Sequence, residues 1–222
     1  MSRKHKYEAV LFDLDGTLVD SLSIWKDIDI AFLGKRGITS PEGLQKDLGG
    51  LSMYETGEYM KRRFSLSETV EEMMEEWNDM AYDAYRYSIG LKEGAEDFLC
   101  FLKDNAFPTG LATSNSRRLV EAAFEKNHLH NYIDIIISSD EVKRGKPAPD
   151  VYLECAKRLG VKPDKCLVFE DHPDGIQAAK NAGMMVVAVD DSFTAEEVPE
   201  KKRLSDLFIS DYNGFDRGRL FG

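Results

Sequence analysis

Cysteine is scarce: three residues, Cys100, Cys155 and Cys166, in a chain of 222. They are too few and too scattered for a disulfide framework or a structural zinc site. Each sits among apolar neighbours, as in Leu99-Cys100-Phe101, and they read as buried free thiols in a reducing compartment, not as nucleophiles. Long apolar runs are missing as well. None approaches the ~18 residues of a membrane span. The start of the chain, Met1 to Tyr7, is basic like a secretion signal, but the apolar stretch after it, Ala9 to Phe12, stops at Asp13. That is short of the ~7–15 residues such a signal needs, and the expectation is a cytoplasmic protein. Positive charge is also in short supply: 29 Lys and Arg against 40 Asp and Glu leave a net −11. This argues against nucleic acid or an anionic membrane as partner. What remains is 42% hydrophobic and 31% charged, which excludes disorder as the main state. The length fits one large domain, or one domain with a modest insert.

Short apolar runs recur, each closed by polar residues or glycine. Ala9 to Phe12 ends at Asp13, Gly110-Leu111-Ala112 at Thr113-Ser114-Asn115, and Ile133 to Ile137 at Ser138-Ser139-Asp140. Cys166 to Phe169 ends at Glu170-Asp171, Met184 to Val189 at Asp190-Asp191, and Leu207-Phe208-Ile209 is a weaker sixth. Such runs suit strands buried on both faces of a parallel sheet. Helical spacing lies between them: Phe98, Leu99 and Leu102; Leu119, Val120, Ala123 and Phe124 after Ser116; Val151, Tyr152, Cys155 and Leu159; Ile176, Ala179 and Ala182. Asp150 and Asp174 read as helix starts, Gly160 and Gly183 as stops. The alternation predicts an α/β doubly wound parallel sheet.

From about Asp20 to Gly90 no strand is legible. Ile24, Trp25, Ile28, Ala31 and Phe32 share one helical face, and Met73, Met74, Trp77, Met80, Ala81 and Ala84 share another. Lys61-Arg62-Arg63 reads as a solvated helix face. An all-helical insert therefore follows the first strand, with hinges at Leu18 to Ser21 and Ser88 to Gly90. The division expected is 1–19 with 91–222 as the core and 20–90 as the insert.

In an open parallel sheet, ligands sit outside the carboxyl ends of the strands. Those ends carry Asp13 with Asp15, then Thr113-Ser114-Asn115, then Glu170-Asp171, with Lys146 shortly after another strand end. Any one of these segments could simply end a strand and cap a helix. Four in one sheet point to a shared mouth of carboxylates, hydroxyls and one amine. Asp13, Glu170 and Asp171 cannot all stay ionised together without compensation. Oxygen donors without His or Cys suit Mg²⁺, and Mg²⁺ suits a phosphate ligand. An Asp carboxylate can attack phosphorus, with Lys146 and Thr113 holding the non-bridging oxygens.

Phe12-Asp13-Leu14-Asp15-Gly16-Thr17-Leu18-Val19-Asp20-Ser21 resembles the first motif of the haloacid dehalogenase superfamily. Leu111 to Asn115 resembles its second, Gly145-Lys146-Pro147-Ala148-Pro149-Asp150 its third, and Phe169-Glu170-Asp171-His172-Pro173-Asp174-Gly175-Ile176 its fourth. The resemblance runs in the family's order over nearly the whole chain. It implies a Rossmann-like core whose insert is a helical cap that closes over substrate. It implies Asp13 as nucleophile and Asp15 as acid and base. Thr113, Ser114, Asn115 and Lys146 become the implied substrate-binding groups. The implied Mg²⁺ ligands are Asp13, the carbonyl of Asp15 and Asp171, with Glu170 binding the metal or orienting its waters. Asp15 also implies phosphate-ester chemistry, because family members that cleave carbon–halogen bonds or phosphonates lack it.

The resemblance extends to small-molecule phosphatases and to β-phosphoglucomutase. The mutase's cap carries a His, an Arg and a Lys; here Trp25, Met53 and Trp77 fall at those places. Without that Arg the site lacks a bidentate grip on a second phosphate. The expectation is a phosphatase acting on a small phosphorylated metabolite such as a sugar phosphate, with the mutase as the alternative. A phosphoacceptor receiver domain is shorter, uncapped and carries its acceptor Asp on a middle strand. A non-catalytic binding module predicts loss of Asp13 or Asp15, and both are present. His172, in place of the family's commoner Ser, reads as a helix cap or as a substrate-facing group. Capped members need no partner chain to complete the site, so a monomer is expected.

Overall fold

The computed structural model describes residues 6–49 and 51–221. The basic start, apart from Lys6 and Tyr7, and Gly50 lie outside the described residues. Six strands form one parallel sheet: β1 (Ala9–Phe12), β2 (Thr109–Thr113), β3 (Ile135–Ser138), β4 (Cys166–Glu170), β5 (Met185–Val189) and β6 (Leu207–Ile209), in the order β3-β2-β1-β4-β5-β6. The expected doubly wound α/β sheet is the observed one. β1, β2 and β4 are buried along their whole length, which is why their sequences are apolar without alternation. Alternation survives as a division between the two faces. Val10 and Phe12 pack into one apolar layer and Ala9 and Leu11 into the other.

The chain passes from β1 to β2 on one side and enters β4 on the other. The order therefore reverses at β1, and the crevice opens beyond the carboxyl ends of β1 and β4. Register fixes what stands there. Phe12 pairs with Leu111 of β2 and Phe169 of β4, so Asp13 emerges beside the last residues of both neighbours.

Between β1 and α5 (Ala95–Asp104) come only helices: α1 (Leu22–Gly34), α2 (Leu44–Leu48), α3 (Met53–Phe64) and α4 (Val70–Tyr87). Capping boxes start two of them, Ser52 with Glu55 on α3 and Thr69 with Glu72 on α4, each satisfying two otherwise orphaned N–H groups. Met73, Trp77 and Ala81 are buried, and the Phe32 and Trp77 rings lie 5.1 Å apart. The two crossings of the insert run side by side: Asp20 N–H donates to the Gly90 carbonyl at 3.0 Å and Lys92 N–H to that of Leu18 at 2.8 Å. α4 also rests on α6 (Arg117–Asn127), where Ser116 bonds Asn78 and Arg118 pairs with Asp79 at 2.6 Å. The helices α7 (Asp150–Leu159), α8 (Pro173–Asn181), α9 (Val198–Leu204) and α10 (Arg217–Phe221) complete the layers. Among the described residues no helix is long and apolar enough to cross a membrane.

Several local expectations shift. β3 begins at Ile135, because Asp134 turns its carboxylate onto Thr109 N–H at 2.8 Å. Asp150 is the first residue of α7 and bonds Arg144 instead of capping. Asp174 lies inside α8, whose N-cap is His172. On α1 it is Leu33 that is buried, and Ala31 faces solvent. Cys155 and Cys166 are buried and free, and burial pushes both thiols up; Cys100 is free and half-buried.

The aromatic layer under the crevice centres on Phe98, which is fully buried against Phe12, Phe169, Tyr212, Phe215 and Phe221. Phe98→Ala is expected to cost about 3–5 kcal/mol, by the lost burial and the cavity left behind. Urea denaturation of the two proteins measures the difference.

Candidate active site

After β1 the chain makes a tight loop in which Leu18 and Val19 N–H both donate to the Leu14 carbonyl. Gly16 adopts φ +77°, and a Cβ there would stand 2.4 Å from Asp171 Oδ2. The loop is thereby pressed against the end of β4, and Thr17 Oγ1 donates to Asp171 Oδ1 at 2.8 Å. Asp13, Asp171 and Glu170 are all buried.

Lys146 stands among them, and the buried Lys201 acts on Asp171 from α9. Lys146 Nζ donates to Asp13 Oδ1 at 2.6 Å and to Glu170 Oε1 at 2.7 Å. Glu170 is fixed on its other side, where Oε2 accepts from His172 N–H at 2.7 Å. A Cβ at Gly175 would fall 1.6 Å from Glu170 Oε1, so α8 approaches this carboxylate closely only because that residue is glycine. Burial works against the Lys146 ammonium, but Asp13 and Glu170 outweigh it and raise its pKa. Burial also raises Asp13; Lys146 pulls it down, while Glu170, Asp171 and Asp15 push it up again. Asp171 rises to about 8, first from burial and then from Glu170. The mouth thus holds more negative charge than its lysine offsets.

Asp15 is held by three donors. Ser21 Oγ reaches Oδ1 at 2.6 Å, Asn115 Nδ2 reaches Oδ2 at 2.9 Å, and the Tyr85 hydroxyl also bonds Oδ1. Tyr85 comes from α4, and its oxygen accepts from Trp25 Nε1 at 2.9 Å and Asn115 Nδ2 at 3.0 Å. Burial, and then the Asp15 charge, raise the Tyr85 pKa, which keeps it a donor. Thr113 Oγ1 accepts from Asn115 N–H at 3.0 Å, and Ser114 Oγ lies 3.4 Å from Ser139 Oγ.

A cavity of about 410 Å³ opens above these groups, the size of a small metabolite's site. All eight residues expected from the sequence line it: Asp13, Asp15, Thr113, Ser114, Asn115, Lys146, Glu170 and Asp171. Asn115 is turned toward Asp15 and Tyr85. Trp25, Met53 and Trp77 line the wall contributed by the insert. His172 caps α8, its Nδ1 accepting from Asp174 N–H at 3.3 Å, while Nε2 lies 3.8 Å from Glu197. Sequence reasoning missed Tyr85, Thr17 and Asp29. Tyr85 continues the Trp77–Ala81 spacing by one more turn, and that was its only signal.

The donor set is one for a hard cation: the carboxylate oxygens of Asp13, Glu170 and Asp171 at one cavity. Among the described residues no three Asp, Glu, His or Cys side chains form a ready cage. The buried carboxylates that are present are oxygen donors of the kind a hard cation such as Mg²⁺ takes.

Residues 10–189 match the family model of haloacid dehalogenase-like hydrolases. The chain is 35% identical over 193 residues to a probable pseudouridine-5′-phosphatase of Drosophila melanogaster, covering 84% of this chain and 83% of that one. It is 29% identical over 177 residues to a phosphorylated carbohydrates phosphatase of Thermotoga maritima, covering 80% and 82%. Among solved structures, a β-phosphoglucomutase of Clostridium difficile superposes with a TM-score of 0.82 at 26% identity, covering 96% and 95%. The chain belongs to the haloacid dehalogenase-like hydrolase family.

The raised carboxyl groups make stability depend on pH. Asp171 binds its proton up to about pH 8 when folded but only to about pH 4 when unfolded. The folded state therefore holds more protons in this window, and stability is lost as pH rises through it. In the presence of a chelator the melting temperature is expected to fall steadily from pH 5 to pH 8.

Proposed function

We propose that the protein is a Mg²⁺-dependent phosphatase that hydrolyses a small phosphate monoester, of a sugar or a similar metabolite, through an aspartyl-phosphate. The observation that carries this reading is the buried Asp13 on Lys146, with Asp15 two residues on, at the floor of one cavity. The relatives' names support the substrate class. In this reading an Asp13 oxygen attacks phosphorus while the ester P–O bond breaks and Asp15 gives its proton to the departing oxygen. Water then attacks the same phosphorus and its proton goes to Asp15. The P–O bond to Asp13 breaks, and inorganic phosphate leaves. Lys146 and Thr113 hold the non-bridging oxygens as charge develops on them. Asp13, Asp171 and the Asp15 carbonyl would hold Mg²⁺, which supplies charge neutralisation at the phosphoryl group. Glu170, with both oxygens taken by Lys146 and His172, acts in this reading to position Lys146 and is not a ligand. Ser21, Asn115 and Tyr85 orient the Asp15 carboxylate.

Residues 20–90 act as a cap whose closing excludes water from the cavity. One chain supplies the whole site, and we take the working unit to be a monomer in the cytoplasm.

With Mg²⁺ the protein is expected to release phosphate from an aryl phosphate. Asp13→Asn should reduce this by about three orders of magnitude or more, as losing a nucleophile does; normal turnover by that variant overturns the mechanism. Mg²⁺ should also raise the melting temperature, and more at pH 8 than at pH 5, where the raised carboxyl groups are protonated. The similarity to β-phosphoglucomutase favours a second reading, a phosphosugar mutase. Trp25, Met53 and Trp77 on the cap wall speak against it, since they stand where the mutase carries His, Arg and Lys; Lys26 and Lys46 are the basic residues the insert brings to this cavity. Net conversion of β-glucose 1-phosphate to glucose 6-phosphate without phosphate release would establish it.

A further inference from the structure

One helical face of α1 turns toward the cavity: Trp25, Lys26 and Asp29 line it at the i, i+1 and i+4 positions. Asp29 is out of place by the usual rules. It is 6% exposed in the interior of an amphipathic helix. Among the described residues its carboxylate makes no ion pair, and its hydrogen bond is a long one, from Gln45 Nε2 of α2 to Oδ2 at 3.3 Å. A carboxylate has about four acceptor positions, and burying it with so few satisfied is costly. Lys26 and Lys46 also line the cavity, but they are exposed and bond neither oxygen. The same wall carries an unmet polar group, for Trp77 Nε1–H is buried without a hydrogen-bond partner. A purely structural Asp would be paired or capped; this one faces the space the substrate's organic part must fill.

We propose that Asp29, with Gln45 beside it, is the specificity-determining pair of this enzyme, accepting hydrogen bonds from hydroxyl groups on the uncharged carbon skeleton of the phosphate ester. The inference rests on the phosphatase reading and adds its selectivity. Burial raises the Asp29 pKa to about 6, against a lowering by Gln45, so the group is an ionised acceptor at neutral pH. An anion at this place accepts hydrogen bonds from hydroxyl groups on a neutral skeleton, while the exposed Lys26 and Lys46 line the same cavity without pairing with it. Trp25, Trp77 and Met53 line the same cavity and make this wall largely apolar around Asp29.

The test compares hexose phosphates and nucleoside 5′-monophosphates with acetyl phosphate, which offers no hydroxyl to this wall. For the ester preferred by the unaltered protein, kcat/KM relative to acetyl phosphate is expected to fall about tenfold or more in Asp29→Asn, as for hydrogen bonds to a charged group, chiefly through KM. Gln45→Ala, on an exposed side chain, should move the ratio in the same direction by less, and decides the matter if Asp29→Asn does not fold. Calorimetric binding of the tightest ester of the panel, relative to inorganic phosphate, should show the same loss without turnover. Ratios within twofold of the unaltered protein in both variants, by turnover or by binding, overturn the proposal. An unaltered protein that cleaves neither an ester of the panel nor acetyl phosphate overturns the phosphatase reading instead, and the binding ratios still decide the role of Asp29.

Discussion

The arrangement depends on one buried cation. Lys146 joins Asp13, at the end of the first strand, to Glu170, at the end of the fourth. These strands are neighbours, and the reversal of strand order at β1 brings their ends to one crevice. Removing one partner of such a buried pair typically costs about 3–5 kcal/mol, because it strands a charge away from water. Here Lys146 bonds two carboxylates, and Asp171 beside them is pushed up to about 8, first by its own burial and then by Glu170. That surplus of acid is a poor way to stabilise a fold, and in the proposed reading it is what a bound cation would offset. A chain with net charge −11 can thus accept a small anion, provided the attraction is local.

The other acid of the site is organised differently. Among the described residues Asp15 pairs with no basic side chain. It is clamped by Asn115 of the core, by Ser21 at the hinge and by Tyr85 of the helical insert. The insert therefore reaches the floor of the cavity as well as covering it. Trp25 bonds the same Tyr85 oxygen, so two insert helices and two core loops meet at one phenol. Any motion of the insert against the core must stretch or break this cluster.

Much of this was legible in the sequence. The strands announced themselves because burial on both faces forbids polar residues, and the last residue of each apolar run marks the crevice. The site followed because Asp13, Asp15, Thr113, Lys146, Glu170 and Asp171 all sit in short segments at strand ends. Their local order alone places them together once the sheet is parallel. Tyr85 and Asp29 were not legible. Both lie on insert helices, and their meaning comes from which way those helices turn after packing on the core. Ala31 and Leu33 show the same limit on a smaller scale, since a one-position rotation of α1 exchanges them. Asn115 reads as a substrate ligand from its motif, yet its amide reaches Asp15 and Tyr85. Asp150 and Asp174 look like caps until Arg144 and His172 supply stronger local partners.

The most direct test of the central claim looks for the covalent intermediate itself. The protein is mixed with Mg²⁺ and a rapidly cleaved ester, quenched in acid within one turnover, digested, and its peptides are mapped by mass spectrometry. The account predicts one phosphoryl group, carried by Asp13 and absent from Asp13→Asn. A phosphoryl group on another residue, or its absence from a protein that is turning over, would contradict it.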